Sequence, residues 1–218
     1  MTTHSLKMAA ACLGLGLLVA SSASAGMIPV ESGDTIKLFG DTGLPRYDGG
    51  GAFRADNLKT AEPNDLITFC LERDEYISFD TPYRAELGTV ALMGGQNTDA
   101  GDPLDSKTAY LFSNFHHGTN GGGLWSTADL QEAIWFIEEE LTGYTLSSLS
   151  SGAQTLVNLA QANKNESLYD VRVMNLYDTA NGHCQSMLTV VPEPATVVLW
   201  SICGVCSLLF LRHRRQLK

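Results

Sequence analysis

Apolar positions along the chain follow two periods. Alternation of period two marks Thr35–Phe39 as a strand, with Ile36 and Leu38 on either side of Lys37. Leu66–Glu72 reads as a strand of β-branched and apolar residues. It turns at Arg73-Asp74 into Glu75–Asp80, where Tyr76, Ile77 and Phe79 stand among charged neighbours, and the two arms predict a β-hairpin carrying Cys70. Tyr83–Leu92, Tyr169–Leu176 and Cys184–Val191 complete the strands, the last two joined by a turn at Asn181-Gly182. Over Ser126–Leu141 the period becomes helical. Leu130, Ile134, Ile137 and Leu141 form one stripe, Ser126 and Asp129 make an acidic capping box, and Gly143 stops the run. Ser150–Ala162 puts Ala153, Leu156, Val157 and Ala160 on one helical face, and Asp105 or Ser106 caps a shorter helix over Lys107–Phe115. Gly40–Gly51 and Gly94–Pro103 read as loops. Strands, then helices, then strands predict an α+β domain.

Both ends of the chain carry addresses. Met1–Ala25 has the parts of a secretory signal peptide: Lys7 in a basic start, an apolar Met8–Ala20, and Ala23-Ser24-Ala25 as the cleavage site. At the other end, Pro192-Glu193-Pro194 leads into the uncharged Thr196–Leu211, and Arg212, Arg214 and Arg215 follow. A helix over 196–211 is about 24 Å long, somewhat short of the roughly 30 Å of bilayer hydrocarbon. The basic cluster holds its end in the cytoplasm, which places the upstream chain outside. Residues 192–218 resemble a PEP-CTERM sorting signal. That resemblance implies a Gram-negative bacterium, insertion in the inner membrane, and an exosortase that cuts near the Pro-Glu-Pro motif. The product is then displayed at the cell surface or released to the extracellular matrix.

Between these ends lies one expected ectodomain, Met27–Val191. Of the 24 acidic residues only Glu193 lies outside it, while Lys7, Arg212, Arg214, Arg215 and Lys218 of the 14 Lys and Arg do, so 23 acids face 9 bases. Such an acidic surface repels nucleic acid and anionic lipid and favours amines and other cationic partners, or serves solubility alone. Two cysteines, Cys70 and Cys184, fall in the exported part, and a Cys70–Cys184 disulfide is the base-rate expectation for that compartment.

Conventional catalytic sets are missing: the chain has no Gly-x-Ser-x-Gly elbow and no phosphate loop, so no enzyme activity, cofactor or metal is expected. His116 and His117 with His183 read as solvated loop residues, with a metal site or proton shuttle as the alternative. Asp99, Asp102 and Asp105 read as a solvated acidic loop, with Ca²⁺ as the alternative. Glu138-Glu139-Glu140 reads as a solvated helix face. Tyr110, Trp125 and Trp135 are candidates for sugar stacking in a non-covalent structural or carbohydrate-binding surface protein.

One pair offers sharper chemistry. Cys70 sits on an apolar strand as Phe69-Cys70-Leu71, and Gln131 lies near the start of the best helix as Gln131-Glu132-Ala133-Ile134-Trp135. A thiol set against a carboxamide can expel ammonia and leave an internal thioester, which an external amine captures. These residues resemble the thioester domains of bacterial surface adhesins, over roughly Leu66–Leu176. The resemblance implies Cys70 and Gln131 as the bond-forming pair of an adhesin that attaches to amine-bearing ligands. The chain departs from the family at Leu130, where Thr is usual.

Overall fold

In the computed structural model, residues 30–59, 66–92, 101–163 and 165–191 are described. The signal peptide, the Pro-Glu-Pro motif, the apolar span 196–211, its basic cluster and Asp99 lie outside the described residues. Among those described, no helix is long and apolar enough to cross a membrane.

The α+β expectation holds. In chain order the strands are β1 (Thr35–Phe39), β2 (Arg46–Tyr47), β3 (Gly50–Gly51), β4 (Phe53–Asn57), β5 (Leu66–Thr68), β6 (Pro82–Gly88), β7 (Val90–Ala91) and β8 (Asp102–Pro103). The helices α1 (Ser106–His117), α2 (Thr127–Ile137) and α3 (Ser151–Ala162) follow, and then β9 (Val171–Tyr177) and β10 (His183–Val190). The main sheet has six strands in the order β10-β9-β6-β1-β4-β5, all neighbours antiparallel. Its two outer strands also meet. Beyond β5 the chain bridges β10 at Cys70 and Met187, Leu71 N–H donates to Ser186 C=O, and Leu188 N–H donates to Phe69 C=O. The sheet therefore closes on itself, with Cys70 at the seam.

Closure explains the burial pattern. β1 alternates exposed and buried residues, as an outward-facing strand should. Gln185–Val190 of β10 is buried without interruption, because this strand has neighbours on both edges and cover on both faces. Ile36, Leu38, Ala85, Val173, Leu176 and Leu188 have no exposed surface and share one core with Leu111 and Phe112 of α1, Leu130 and Ile134 of α2, and Val157 of α3.

Helix ends follow local chemistry. Asp105, Ser126 and Ser150 each accept a backbone N–H of the first turn of α1, α2 and α3. Gly118 ends α1 in the left-handed conformation. α2 stops at Ile137, short of the expected Leu141. Glu139 takes φ 63°, and Glu139 and Glu140 donate backwards to Phe136 and Trp135, a Schellman closure without glycine.

Three expectations need correction. The arm Glu75–Asp80 forms no strand, because β5 takes β4 on one edge and its continuation takes β10 on the other. Gly40–Gly51 is not all loop: β2 and β3 pair around Asp48-Gly49, whose φ values of 47° and 85° suit a tight hairpin turn. Tyr83–Leu92 divides into β6 and β7, and β7 turns away to pair with β8.

Candidate functional site

Cys70 and Gln131 meet at the seam. Gln131 stands in the second turn of α2, on the side facing the sheet, with no exposed surface. Its carboxamide is held to the Cys70 backbone at both ends: Cys70 N–H donates to Oε1 at 3.1 Å, and Nε2 donates to the Cys70 carbonyl at 2.9 Å. Paired donors and acceptors of this kind fix an amide in one orientation. The reactive carbon is thereby held beside residue 70.

The β2–β3 hairpin covers this contact. A Cβ placed on Gly50 would lie 3.3 Å from Gln131 Cδ and 2.5 Å from the Trp135 ring, so only glycine lets the backbone approach both. Next to it, the Gly51 N–H faces the Cys70 sulfur. Consecutive residues of one strand thus lie close to both members of the pair. Thr127 Oγ1 donates to Pro45 C=O at 2.6 Å and fastens the hairpin's approach to α2. Tyr47 packs edge-on against Trp135 with ring centroids 6.0 Å apart. Burial first, and then Glu132 and Tyr144, push the Tyr47 phenol up to about 12.

Burial likewise pushes the Cys70 thiol up to about 12, against the Gly51 N–H and the Gln185 side chain, which favour the thiolate. At neutral pH the sulfur is a protonated thiol. Chemistry at this sulfur must move its proton with the leaving group, as acyl transfer from an amide does. Gln185 also donates to the Glu72 carbonyl at 2.9 Å, linking the sulfur's surroundings to the next turn of chain.

The alternative pairing of the cysteines is not formed: Cys70 is free and buried, Cys184 free and half-buried. Cys70 lies opposite Met187, and Cys184 is three residues further along β10, roughly 10 Å at about 3.3 Å per residue. Disulfides need Cα atoms about 4.4–6.8 Å apart. A register shift between His183 and Gln185 further turns Cys184 outward, toward the Gly182 carbonyl.

The other candidates separate. His117 pairs with Asp170 at 2.7 Å, His116 stacks on Phe112, and His183 meets Glu75 at 3.1 Å, so the three histidines share no common centre. Trp135 is buried, and Tyr110 packs against Tyr169, so neither offers an open stacking face for a sugar. Asp105 is spent on capping α1.

The acidic run after α2 is the largest departure from expectation. Only Glu139 is exposed; Glu138 and Glu140 are buried, because the left-handed turn at Glu139 folds its neighbours inward. Glu138 accepts the Asp105 N–H, and burial pushes its carboxyl up to about 8. Glu140 joins Glu72 and Asp102 in a cluster whose ligating oxygens all lie within 4.8 Å of one another. Burial first, then Glu140 and Glu75, push the Glu72 carboxyl up to about 9. Nothing in the spacing of residues 72, 102 and 140 announced this grouping.

Comparison with protein-family models, with curated proteins and with solved structures found no match.

Proposed function

We propose that the protein is an exported surface protein whose ectodomain closes an internal thioester between Cys70 and Gln131 and presents it to amines. The observation that carries this reading is the two-point hold of the Gln131 carboxamide on the Cys70 backbone, under a glycine hairpin that lies close over it. In the bond-forming step Cys70 Sγ attacks Gln131 Cδ, the Cδ–Nε2 bond breaks, and nitrogen leaves as ammonia with the thiol proton. Charge developing on Oε1 meets the Cys70 N–H that already binds it. An amine then attacks Cδ, forms an amide at Gln131 and frees the thiol. The acidic surface favours cationic partners, amines among them. Export rests on the signal peptide 1–25. Sorting by an exosortase rests on Pro192-Glu193-Pro194, the span 196–211 and Arg212, Arg214 and Arg215.

Intact mass of the purified protein, taken without reductant and again after methylamine, tests the reading. The expected mass is one ammonia below the sequence value, then one methylamine adduct, with both changes abolished in Cys70→Ala. A mass at the full sequence value with no adduct would sink the thioester. A deficit of two hydrogens would replace it with a disulfide and a non-covalent binding or structural role.

A further inference from the structure

Glu72, Asp102 and Glu140 come from three separate places: the chain just after Cys70, strand β8, and the turn that closes α2. Glu72 is 1% exposed and Glu140 6%. Glu140 spends one oxygen on the Arg73 N–H at 3.2 Å. Its other oxygen, Oε1, and Glu72 Oε2 are fully enclosed and receive no hydrogen bond. Buried carboxylate oxygens without a donor are costly, and carboxyl groups gathered this closely must share either a proton or a cation. The guanidinium of Arg73, whose backbone N–H binds Glu140, does not supply the cation, since it turns to Asp48 at 2.6 Å.

We propose that Glu72, Asp102 and Glu140 bind a divalent, oxygen-preferring cation, and Ca²⁺ in particular. An all-oxygen set excludes the softer metals that want thiolate or imidazole. Ca²⁺–oxygen distances of about 2.3–2.6 Å allow ligands on opposite sides of the ion to stand about 5 Å apart, in keeping with the 4.8 Å limit of this cluster. Mg²⁺ gives up its waters reluctantly and suits so enclosed a site less well. Bound there, the ion fastens the segment that follows Cys70 to the turn that follows the Gln131 helix. The site stands whether or not the thioester forms, because none of its ligands takes part in that bond.

Titration calorimetry of the purified protein, stripped with EDTA and desalted, tests the site with Ca²⁺ as the probe. The expected result is one Ca²⁺ per chain and a melting temperature that rises with Ca²⁺ concentration. Glu140→Gln and Asp102→Asn should each weaken binding at least about tenfold, in line with the loss of a charged ligand. Asp102 is only half-buried, so its variant keeps the fold, and circular dichroism checks this. Absence of saturable binding up to about 10 mM Ca²⁺, well beyond even weak extracellular sites, would overturn the proposal. So would unchanged affinity in folded Asp102→Asn, while equal affinity for Mg²⁺ would overturn the choice of Ca²⁺.

Discussion

Replacing Gly50 with alanine puts the close approach of the hairpin under direct test. The added methyl would sit 2.5 and 2.6 Å from two atoms of the Trp135 ring and 3.3 Å from Gln131 Cδ. Ordinary carbon–carbon contact begins near 3.5 Å, so the ring must retreat by about 1 Å. Trp135 is 2% exposed and packs edge-on against Tyr47. Overpacking of this kind costs about 1–3 kcal/mol. In a domain of this size each kcal/mol lowers the melting temperature by roughly 2–4 °C, so a fall of about 2–12 °C is expected. The carboxamide shares the strain, so the fraction of protein lacking one ammonia should fall together with the melting temperature. Gly123→Ala is the control: its methyl would meet only Gly118 Cα, at 3.6 Å, and its φ is not in the left-handed region. Melting by circular dichroism and intact mass are read on the same samples. If Gly50→Ala melts within about 1 °C of the parent, well under one kcal/mol, and keeps its full mass deficit, the hairpin does not hold Trp135 and Gln131 as described.

Glu139→Gly should stabilise the fold by about 0.5–1 kcal/mol, because glycine takes the left-handed turn after α2 without the steric penalty of a side chain; chemical denaturation measures it, and a loss of stability would refute the capping account. Burial, and then the neighbouring His117, lower the His116 pKa below its ordinary 6.5, with Asp170 opposing. The unfolded chain then binds a proton that the folded chain refuses, so this residue's contribution is intact above about 6.5 and is lost as pH falls from there through the lowered folded value. His116→Gln should flatten the acid-side decline in melting temperature relative to the parent, and an identical pH profile would count against the assignment.

Much of the fold was written locally. β1 shows its period-two alternation, Asn181-Gly182 marks the turn between β9 and β10, and Ser126 and Ser150 announce α2 and α3. Asp48-Gly49 carried an equally clear hairpin signal, but the glycines around it masked the short strands. What could not be read was long-range. The meeting of Cys70 with Met187 joins segments more than a hundred residues apart, and no local pattern encodes which edge a strand will choose. The same holds for Glu138 and Glu140. Their helical phase suggested a solvated face, and the left-handed turn at Glu139 reversed it. Cys70 and Gln131 were singled out as chemistry, yet the carboxamide's grip on the backbone of residue 70, rather than on its sulfur, depends on closure of the sheet.

The closed seam also has a mechanical meaning. Val191 directly continues β10, so tension on the chain beyond it is delivered to that strand. β10 is hydrogen-bonded to β9 from His183 to Val190 and, on its other edge, to residues 69–71. Antiparallel bonds run across the strand, so a lengthwise pull loads many of them in shear at once instead of unzipping them one by one. A slip of a single residue would turn every buried side chain of β10 to the wrong face. Under load the strand therefore either holds its register or gives way altogether, and Cys70 stays shielded until that rupture.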